Sequence, residues 1–318
     1  MFNPTVTGIP MLALLGALTL SPTMGVTHRS SHTSLATFAP KNYERMPLPD
    51  EGNCSQVETT IDGIHTKGTQ NPIKLCLTQP PGTDGFGAHY TLYMTAIAFA
   101  AARNVAYCHT RNECVGHHQD ADLSEILIGL DAGDCTKCNR AKHGYFHSMN
   151  KDADLYYTPC VRNFLRKRYQ RGAKQLKLST TFMEEPANTT VIAVHIRRGD
   201  VSVNHDKGQR YVKLEAFERG MQMIRSRLLQ DKNRHVFHIF SEGEPDDFEL
   251  LAKHDDVKLQ LLGDDGMFQT FHSLANAEYL ITSPSSFSYA AGILSTGKVF
   301  YPKEWSFYKS PLPSWTEF

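Results

Sequence analysis

In the second half of the chain, short apolar runs alternate with amphipathic stretches, and this alternation restricts the fold more than any other feature. The predicted strands lie at 191–196, 236–241, 257–262, 279–282 and 299–301. The predicted helices between them lie at 213–229, 247–253, 266–277 and 286–295. Strands and helices that alternate in this way form a parallel sheet with helices on both faces. The pattern therefore predicts an α/β fold, with a doubly wound parallel sheet over residues 187–318.

A shorter pattern of the same kind precedes this region and predicts a second α/β domain over residues 71–186. Its predicted elements are a strand at 73–77, a helix at 89–102, a strand at 105–108 and a basic helix at 158–178. The first three form a βαβ unit. The arginines and lysine of the basic helix could bind an anion, but a solvated helix face is the preferred interpretation. Residues 109–150 form a Cys-rich insertion in which the sequence predicts no helix or strand.

The balance of charge excludes partners that bind through long-range electrostatics. The 318-residue chain has 33 basic and 33 acidic residues, so its formal net charge is zero. Such a chain has no general attraction for nucleic acid or for anionic membranes. Recognition of a phosphate group must then depend on a few local cations.

The cysteines indicate the compartment in which the protein folds. All seven lie in the first half of the chain, at Cys54, Cys76, Cys108, Cys114, Cys135, Cys138 and Cys160. A zinc site would use Cys135 and Cys138 with His143 and His147, but the other cysteines do not have the spacing of a second ligand pair. Disulfide bonds in an oxidising compartment fit better, with one cysteine left over.

The amino-terminal segment supports the same compartment. Residues 9–20 are apolar and have the length of a signal-peptide core, so residues 1–26 are predicted to be a signal peptide or a short signal-anchor. Residues 27–70 are polar and rich in Ser, Thr, Pro and Gly, which is typical of a stem or linker. Glycosylation sequons begin at Asn53 and Asn188. We therefore expect the secretory pathway, with the protein in the Golgi lumen or endoplasmic reticulum, or secreted.

The first strand of the doubly wound sheet ends in a cluster of charged residues. Directly after 191–196 come Arg197, Arg198, Gly199 and Asp200. Open α/β sheets bind ligands beyond the carboxyl ends of their strands, and the planar guanidinium of arginine suits a phosphate. The simpler interpretation is a strand end that carries solvated charge.

Two later strand ends bring polar residues to the same edge of the sheet. The residues that follow the second and fourth strands include Ser241, Glu242, Ser283, Ser285, Ser286 and Phe287. A serine at the start of a helix caps it, and the backbone N–H groups and dipole at that end also attract anions. Two arginines and a helix N-terminus would together form a pyrophosphate clamp.

These residues carry a resemblance to a known enzyme family. The chain resembles the α1,2-, α1,6- and protein O-fucosyltransferase superfamily in its first motif, His-x-Arg-Arg-x-Asp, which is here His195, Arg197, Arg198 and Asp200. Residues 271–287, FHSLANAEYLITSPSSF, resemble the closing motif, and residues 237–246 resemble the middle one. Gly85 and Gly87 resemble a Gly-x-Gly loop in the amino-terminal half of the family.

The resemblance implies a GT-B-like architecture, in which two Rossmann-like domains bind GDP-fucose in the cleft between them. It implies inverting transfer of fucose to a hydroxyl group of a glycan or glycoprotein, with no cofactor and no metal. Arg197 or Arg198, together with the Ser286 region, would stabilise the leaving GDP, and the candidate catalytic residues are Arg198 with His205 or Asp206 as the base. The residues assigned to donor binding are Gly85, Gly87, His195, Arg197, Arg198, Asp200, Ser241, Glu242, His272, Ser283, Ser285, Ser286 and Phe287.

The chain departs from the family pattern at several positions. Ala88 and His89 occupy the place of an amide pair, and Thr270 occupies the place of a carboxylate that is common near the closing histidine. Asp264 or Asp265 are the candidates to replace that carboxylate.

Two other interpretations stay open at this point. Acidic pairs at 246–247, 255–256 and 264–265 would suit a metal-dependent transferase with another donor, although helix caps and solvated charge also explain them. The departures from the motifs would suit an inactive secreted protein that binds nucleotide sugars or glycans.

Overall fold

The chain forms two parallel β-sheets with helices packed against them. In this computed structural model the described residues are 74–78, 85–102, 106–111, 120–131, 139–142, 156–202, 210–228, 234–261, 263, 266–305 and 309–318. At 74–78 and 139–142 the backbone alone is described. The predicted signal segment, the stem and the sequon at Asn53 lie outside the described residues.

The nine strands of the described residues divide between the two sheets. In chain order they are β1 (Lys74–Thr78), β2 (Ala106–Tyr107), β3 (Asn139–Lys142), β4 (Thr189–His195), β5 (Arg234–Phe240), β6 (Val257–Gln260), β7 (Tyr279–Ile281), β8 (Lys298–Tyr301) and β9 (Thr316–Glu317). The first three form a sheet in the order β2-β1-β3, and the others form a six-stranded sheet in the order β6-β5-β4-β7-β8-β9. Every pair is parallel. The predicted α/β class and the parallel sheet of the second half are confirmed.

The helices connect and cover these strands. They are α1 (Phe86–Ala102), α2 (Ala121–Ile128), α3 (Pro159–Gln175), α4 (Leu214–Leu228), α5 (Glu249–Ala252), α6 (Met267–Asn276) and α7 (Ser286–Leu294). A 3₁₀ turn, Pro245–Phe248, precedes α5 where the sequence predicted one continuous helix. Its amino end carries a capping box, in which the Asp247 carboxylate accepts the N–H of Glu244 at 2.9 Å.

Strand β4 lies inside the larger sheet, because β5 pairs with one of its edges and β7 pairs with the other. All seven of its residues are buried, and Val and Ile, which favour the extended backbone, occupy its middle. It runs in register with β5 from the pair Thr189 and Arg234 to the pair His195 and Phe240. The two strands therefore end side by side.

One hydrophobic cluster extends over both halves of the chain. It includes Tyr90 of α1, Phe164 of α3, Phe271 of α6 and Tyr289 of α7. Both sheets belong to a single compact unit, Arg45–Phe318. The predicted division into two Rossmann-like domains is therefore not confirmed.

The insertion at 109–150 contains regular structure that the sequence analysis missed. Helix α2 begins at an N-cap, where the Asp120 side chain accepts the N–H of Leu123 at 3.0 Å. It ends at Gly129, whose φ of 71° is the left-handed conformation that glycine adopts without a steric cost. The sequence signal for this helix was Asp120 before it and Gly129 after it, residue types that are typical of the two ends of a helix.

The basic helix does not simply present a solvated face. Arg162 of α3 donates to the carbonyl oxygens of Ile293 and Ser295, and Arg166 donates to those of Leu294 and Ser295, at distances of 2.6–3.1 Å. These carbonyls form the carboxyl end of α7, where a helix leaves its acceptors unpaired and carries partial negative charge. The two arginines thus fasten α3 to the end of α7.

Among the described residues, no helix is both long enough and apolar enough to span a bilayer.

Candidate active site

The order of strands in the larger sheet creates a crevice at one point on its carboxyl edge. From β4 the chain adds β5 and β6 on one side, and then returns to add β7, β8 and β9 on the other. The loops after β4 and β7 consequently diverge. Such a topological switch point is where doubly wound folds bind their ligands.

Arg197 lies just beyond β4, at this switch point. Its guanidinium donates to a carboxylate oxygen of Asp200 at 2.6 Å, and a second nitrogen lies 3.8 Å from the Glu242 carboxylate. The side chain is 21% exposed, so it is largely held in place by protein. Asp200 thus orients Arg197.

Arg198 is anchored by backbone and by a ring. Its terminal nitrogens donate to the carbonyl oxygens of Arg197 and Val212, each at 2.9 Å, and its guanidinium carbon lies 4.2 Å from the centre of the Tyr211 ring. Burial lowers the pKa of Arg198, although Tyr211 and Asp247 oppose that shift, and an arginine stays charged in proteins. Two of its five N–H groups are occupied among the described residues, which leaves three for an anion.

Gly199 allows the Glu242 side chain to approach Arg197. Its φ is 72°, and a Cβ atom at this position would collide with the Glu242 carboxylate. The glycine therefore meets both a conformational and a steric requirement. Because Gly199 has no side chain, the carboxylate of Glu242, which follows β5, can lie against the loop after β4.

His195 connects the two strands at the switch point. Its Nδ1 atom lies 2.9 Å from the hydroxyl oxygen of Ser283, which follows β7. Burial, together with the positive charge of Arg197, lowers the pKa of His195 to about 3. The imidazole is therefore neutral at physiological pH.

The loop after β7 leads directly into α7. Ser285 is the N-cap, and its side chain accepts the N–H of Phe287 at 3.3 Å. The Phe287 ring lies 5.6 Å from the ring of His195, centre to centre. The first turn of α7 thus borders the switch point, as predicted.

These residues surround a cleft of about 530 Å³, part of which is open to solvent. The lining consists of His195, Ile196, Arg197, Arg198, Phe240, Ser241, Glu242, Gly263, Met267, Thr270 and Phe287. The lining thus combines the cationic side chains of Arg197 and Arg198 with the carboxylate of Glu242 and with apolar side chains.

The structure brings only part of the predicted set to the cleft. His195, Arg197, Arg198, Ser241, Glu242 and Phe287 line it, while Asp200, Ser283 and Ser285 support these residues from behind. The Ser241 hydroxyl donates to the Ile196 carbonyl at 2.7 Å and so ties the ends of β4 and β5 together.

Four further predicted residues, Gly85, Gly87, His272 and Ser286, do not line the cleft either. A Cβ atom on Gly87 would lie 2.5 Å from Cα of Phe287, so Gly87 permits close packing of α1 against the start of α7. Gly85 begins the same turn by accepting the N–H of Ala88. His272 bonds through Nδ1 to the Tyr169 hydroxyl at 2.6 Å, and burial lowers its pKa. Ser286 opens α7 without being part of the lining.

Several candidates cannot be placed, and others were not foreseen. His205, Asp206, Asp264 and Asp265 lie outside the described residues. The sequence analysis did not identify Tyr211, Val212, Phe240, Gly263 and Met267 as parts of the site. Thr270, noted only as a departure from the motif, lines the cleft at the position where a carboxylate is common in the family.

One member of each described acidic pair has a structural partner. Asp256 receives two hydrogen bonds from Arg225, at 2.8 and 2.7 Å, which together with other contacts hold its pKa below the usual range despite partial burial. Asp247 belongs to the capping box already described. Within the described residues no group of His, Cys, Asp and Glu has the arrangement of a metal site.

Comparisons with known proteins were made for sequence and structure. Residues 128–314 match the family model described as Glycosyl transferase family 11. The solved fucosyltransferase NodZ from Bradyrhizobium has 11% identity and a TM-score of 0.38, over 71% of this chain and 94% of that one. A NodZ α-1,6-fucosyltransferase structure soaked with GDP-fucose has 12% identity and a TM-score of 0.39, over 71% and 93%. No curated protein matches the chain.

Proposed function

The chain belongs to glycosyl transferase family 11 and is a glycosyltransferase of the fucosyltransferase superfamily, and we propose that it transfers fucose from GDP-fucose to a hydroxyl group of a glycan or glycoprotein. The family membership confirms the relationship that the sequence motifs indicated. The subfamily, and hence the linkage, stays open.

The observation that carries this proposal is the pair of arginines at the switch point. Arg197 and Arg198 both line the cleft and are held by carboxylates, carbonyls and a ring rather than by solvent. Guanidinium groups positioned in advance bind a diphosphate with little loss of conformational entropy. The neighbouring start of α7 adds a favourable dipole.

The proposed chemistry is a single displacement with inversion. The acceptor oxygen forms a bond to the anomeric carbon of fucose as the bond from that carbon to the β-phosphate oxygen breaks. The acceptor proton passes to a base, and GDP leaves with the electron pair. Arg198 donates to the β-phosphate as negative charge develops there, an effect typically worth about 10²–10³ in kcat per donor.

We propose Asp206 as the base, with His205 as the alternative, because both follow the first motif closely. A base must reach the acceptor hydroxyl directly or through one water. Asp206→Asn should lower kcat much more than it weakens GDP binding, and His205→Ala should be milder. A histidine base would instead give a rate that falls as the pH drops below about 6.5. Near-normal rates in both variants would move the base to another part of the chain.

Screening the purified protein against a panel of nucleotide sugars tests the donor. GDP-fucose should be consumed in the presence of a suitable glycan, and UDP-sugars should not. Addition of EDTA should leave most of the rate, since the arginines supply the positive charge. Loss of activity with EDTA and recovery with manganese would favour the metal-dependent alternative.

We further propose that the protein acts in the lumen of the Golgi or endoplasmic reticulum, or after secretion. Two observations support this proposal: Cys108 and Cys160 are each disulfide-bonded, and Asn188 of the second sequon is exposed. Disulfides persist in oxidising compartments, and a sequon is modified only in the secretory pathway.

A further inference from the structure

The hydrogen bond between His195 and Ser283 joins two residues that lie on opposite sides of the switch point. Both side chains are buried, with exposures of 6% and 1%. Within the described residues, the Ser283 hydroxyl oxygen makes this hydrogen bond, 2.9 Å long, and no other. The backbone of Ser283 is held separately by the Ser288 hydroxyl.

The direction of this hydrogen bond follows from the need to satisfy the buried hydroxyl. If Nδ1 carried the hydrogen and donated it, the serine O–H would have no acceptor among the described residues and almost no access to water. If the serine donates to Nδ1, both groups are satisfied. Leaving a buried polar group without a hydrogen-bond partner is unfavourable, which favours the second arrangement.

A neutral imidazole that accepts at Nδ1 must carry its hydrogen on Nε2. The His195 ring lines the cleft, and Nε2 makes no hydrogen bond within the described part of the chain. The Nε2–H group of His195 can therefore donate a hydrogen bond to a ligand in the cleft.

We propose that Ser283 is a positioning residue that holds His195 in the Nε2–H tautomer, so that His195 donates this hydrogen to a phosphate oxygen of the sugar nucleotide. The proposal rests on the proposed function, and it assigns to Ser283 a role other than direct contact with the donor. The arrangement adds a third donor beside Arg197 and Arg198 without adding a third positive charge. Burial and the adjacent Arg197 keep the imidazole uncharged.

The tautomer can be measured directly on the wild-type protein. Histidine labelled with ¹⁵N distinguishes a nitrogen that bears hydrogen from one that does not, and assignment by comparison with His195→Gln identifies the signal. We expect hydrogen on Nε2, both without ligand and with GDP bound. Hydrogen on Nδ1 of His195 would overturn the proposal.

A matched set of variants tests the consequence for binding. The amide nitrogen of glutamine can take the place of Nε2, and that of asparagine can take the place of Nδ1, so His195→Gln should bind GDP better than His195→Asn. Ser283→Ala should weaken GDP binding about fivefold, which corresponds to one net hydrogen bond of about 1 kcal/mol. Ser283→Thr keeps the hydroxyl and should recover most of the affinity.

The His195→Gln background separates positioning from general damage. Because glutamine has no Nδ1 to orient, adding Ser283→Ala there should change the GDP affinity less than about twofold. Ser295→Ala is the control, since Ser295 is a buried serine at the far end of α7, where its hydroxyl accepts the N–H of Gly297. It should lower stability without affecting GDP binding.

The outcomes distinguish this inference from the function on which it rests. Wild-type protein that fails to bind GDP would overturn the proposed function and, with it, the donor role of Nε2. Wild-type protein that binds GDP, with Ser283→Ala equal to it, would overturn the inference alone. An equal loss from Ser283→Ala in both backgrounds would show a purely structural effect and would also overturn it.

Discussion

Replacing Arg198 separates the two tasks that the structure assigns to its guanidinium. Arg198→Ala removes two hydrogen bonds of 2.9 Å to backbone carbonyls and a ring contact with Tyr211 at 4.2 Å. Hydrogen bonds to charged groups contribute about 1.5–3 kcal/mol each, and cation–π contacts contribute about 0.5–2 kcal/mol. Because the side chain is only partly buried, water compensates for some of this loss. We expect the free energy of unfolding to fall by about 2–4 kcal/mol, which a domain with about 5–15 kcal/mol of stability tolerates.

The loss of catalysis should exceed what this destabilisation explains. Without Arg198, we expect kcat for GDP-fucose turnover to fall about 10²–10³-fold per folded molecule. Arg198→Lys should lose less stability but nearly as much activity, since an ammonium group cannot reproduce the planar fork. Urea unfolding gives the stability, and GDP release at a temperature at which every variant is folded gives the rate.

Arg225 provides a matched control away from the cleft. It also donates two hydrogen bonds, here to Asp256, and it also lies over an aromatic ring, that of Phe237, at 4.8 Å. Arg225→Ala should therefore lose a similar amount of stability and keep its activity. If Arg198→Ala retains kcat within about threefold of the wild type, or if Arg225→Ala loses as much activity, the proposed role of Arg198 is wrong.

Three further predictions concern the loop, the histidine and the compartment. Gly199→Ala should lower the free energy of unfolding by about 1–3 kcal/mol and lower activity, because alanine strains a positive φ and displaces the Glu242 carboxylate. Urea unfolding measures the stability and turnover of GDP-fucose measures the activity. A variant with unchanged stability and activity would contradict the steric argument. Since the pKa of His195 is about 3 when folded and about 6.5 when unfolded, stability should decline as pH falls below about 6.5, by at most about 1.4 kcal/mol per pH unit from this group. His195→Gln should flatten that slope in urea titrations at several pH values, and parallel slopes would count against the buried neutral state. Expression through the secretory pathway should place a glycan on Asn188, visible as a mass shift that Asn188→Gln abolishes; an unmodified Asn188 would argue against the proposed location.

Much of the larger sheet could be predicted because its information is local. The buried β4, rich in Val and Ile, and the stripe of buried residues on α4 are patterns that a window of about 20 residues contains. The short insertion elements were missed because a strand of four residues has too few positions to show a period. Helix α2 had a cap signal at each end, but its eight residues lay among irregular sequence.

The candidate site was predictable only as a set of strand ends. The charged run after β4 and the serines before α7 predict an anion site by residue type alone, and parallel strands bring such ends to one edge. Sequence spacing could not show that Gly87 would pack against Phe287, or that His272 would turn toward Tyr169. Each of these contacts joins residues far apart in the chain.

The sequence by itself determined the period of each element, the polar residues at the strand ends and the α/β class. The tertiary structure decided which of those ends became neighbours. His195 and Ser283 are 88 positions apart, and they meet because β7 pairs directly with β4 rather than with β6. The pairing of β7 with β4 depends on how helices and strands pack over the whole sheet. The stabilising free energy is distributed over many contacts between residues that are distant in sequence. No local stretch of sequence contains it, so the hydrogen bond that orients His195 can be read only from the folded protein.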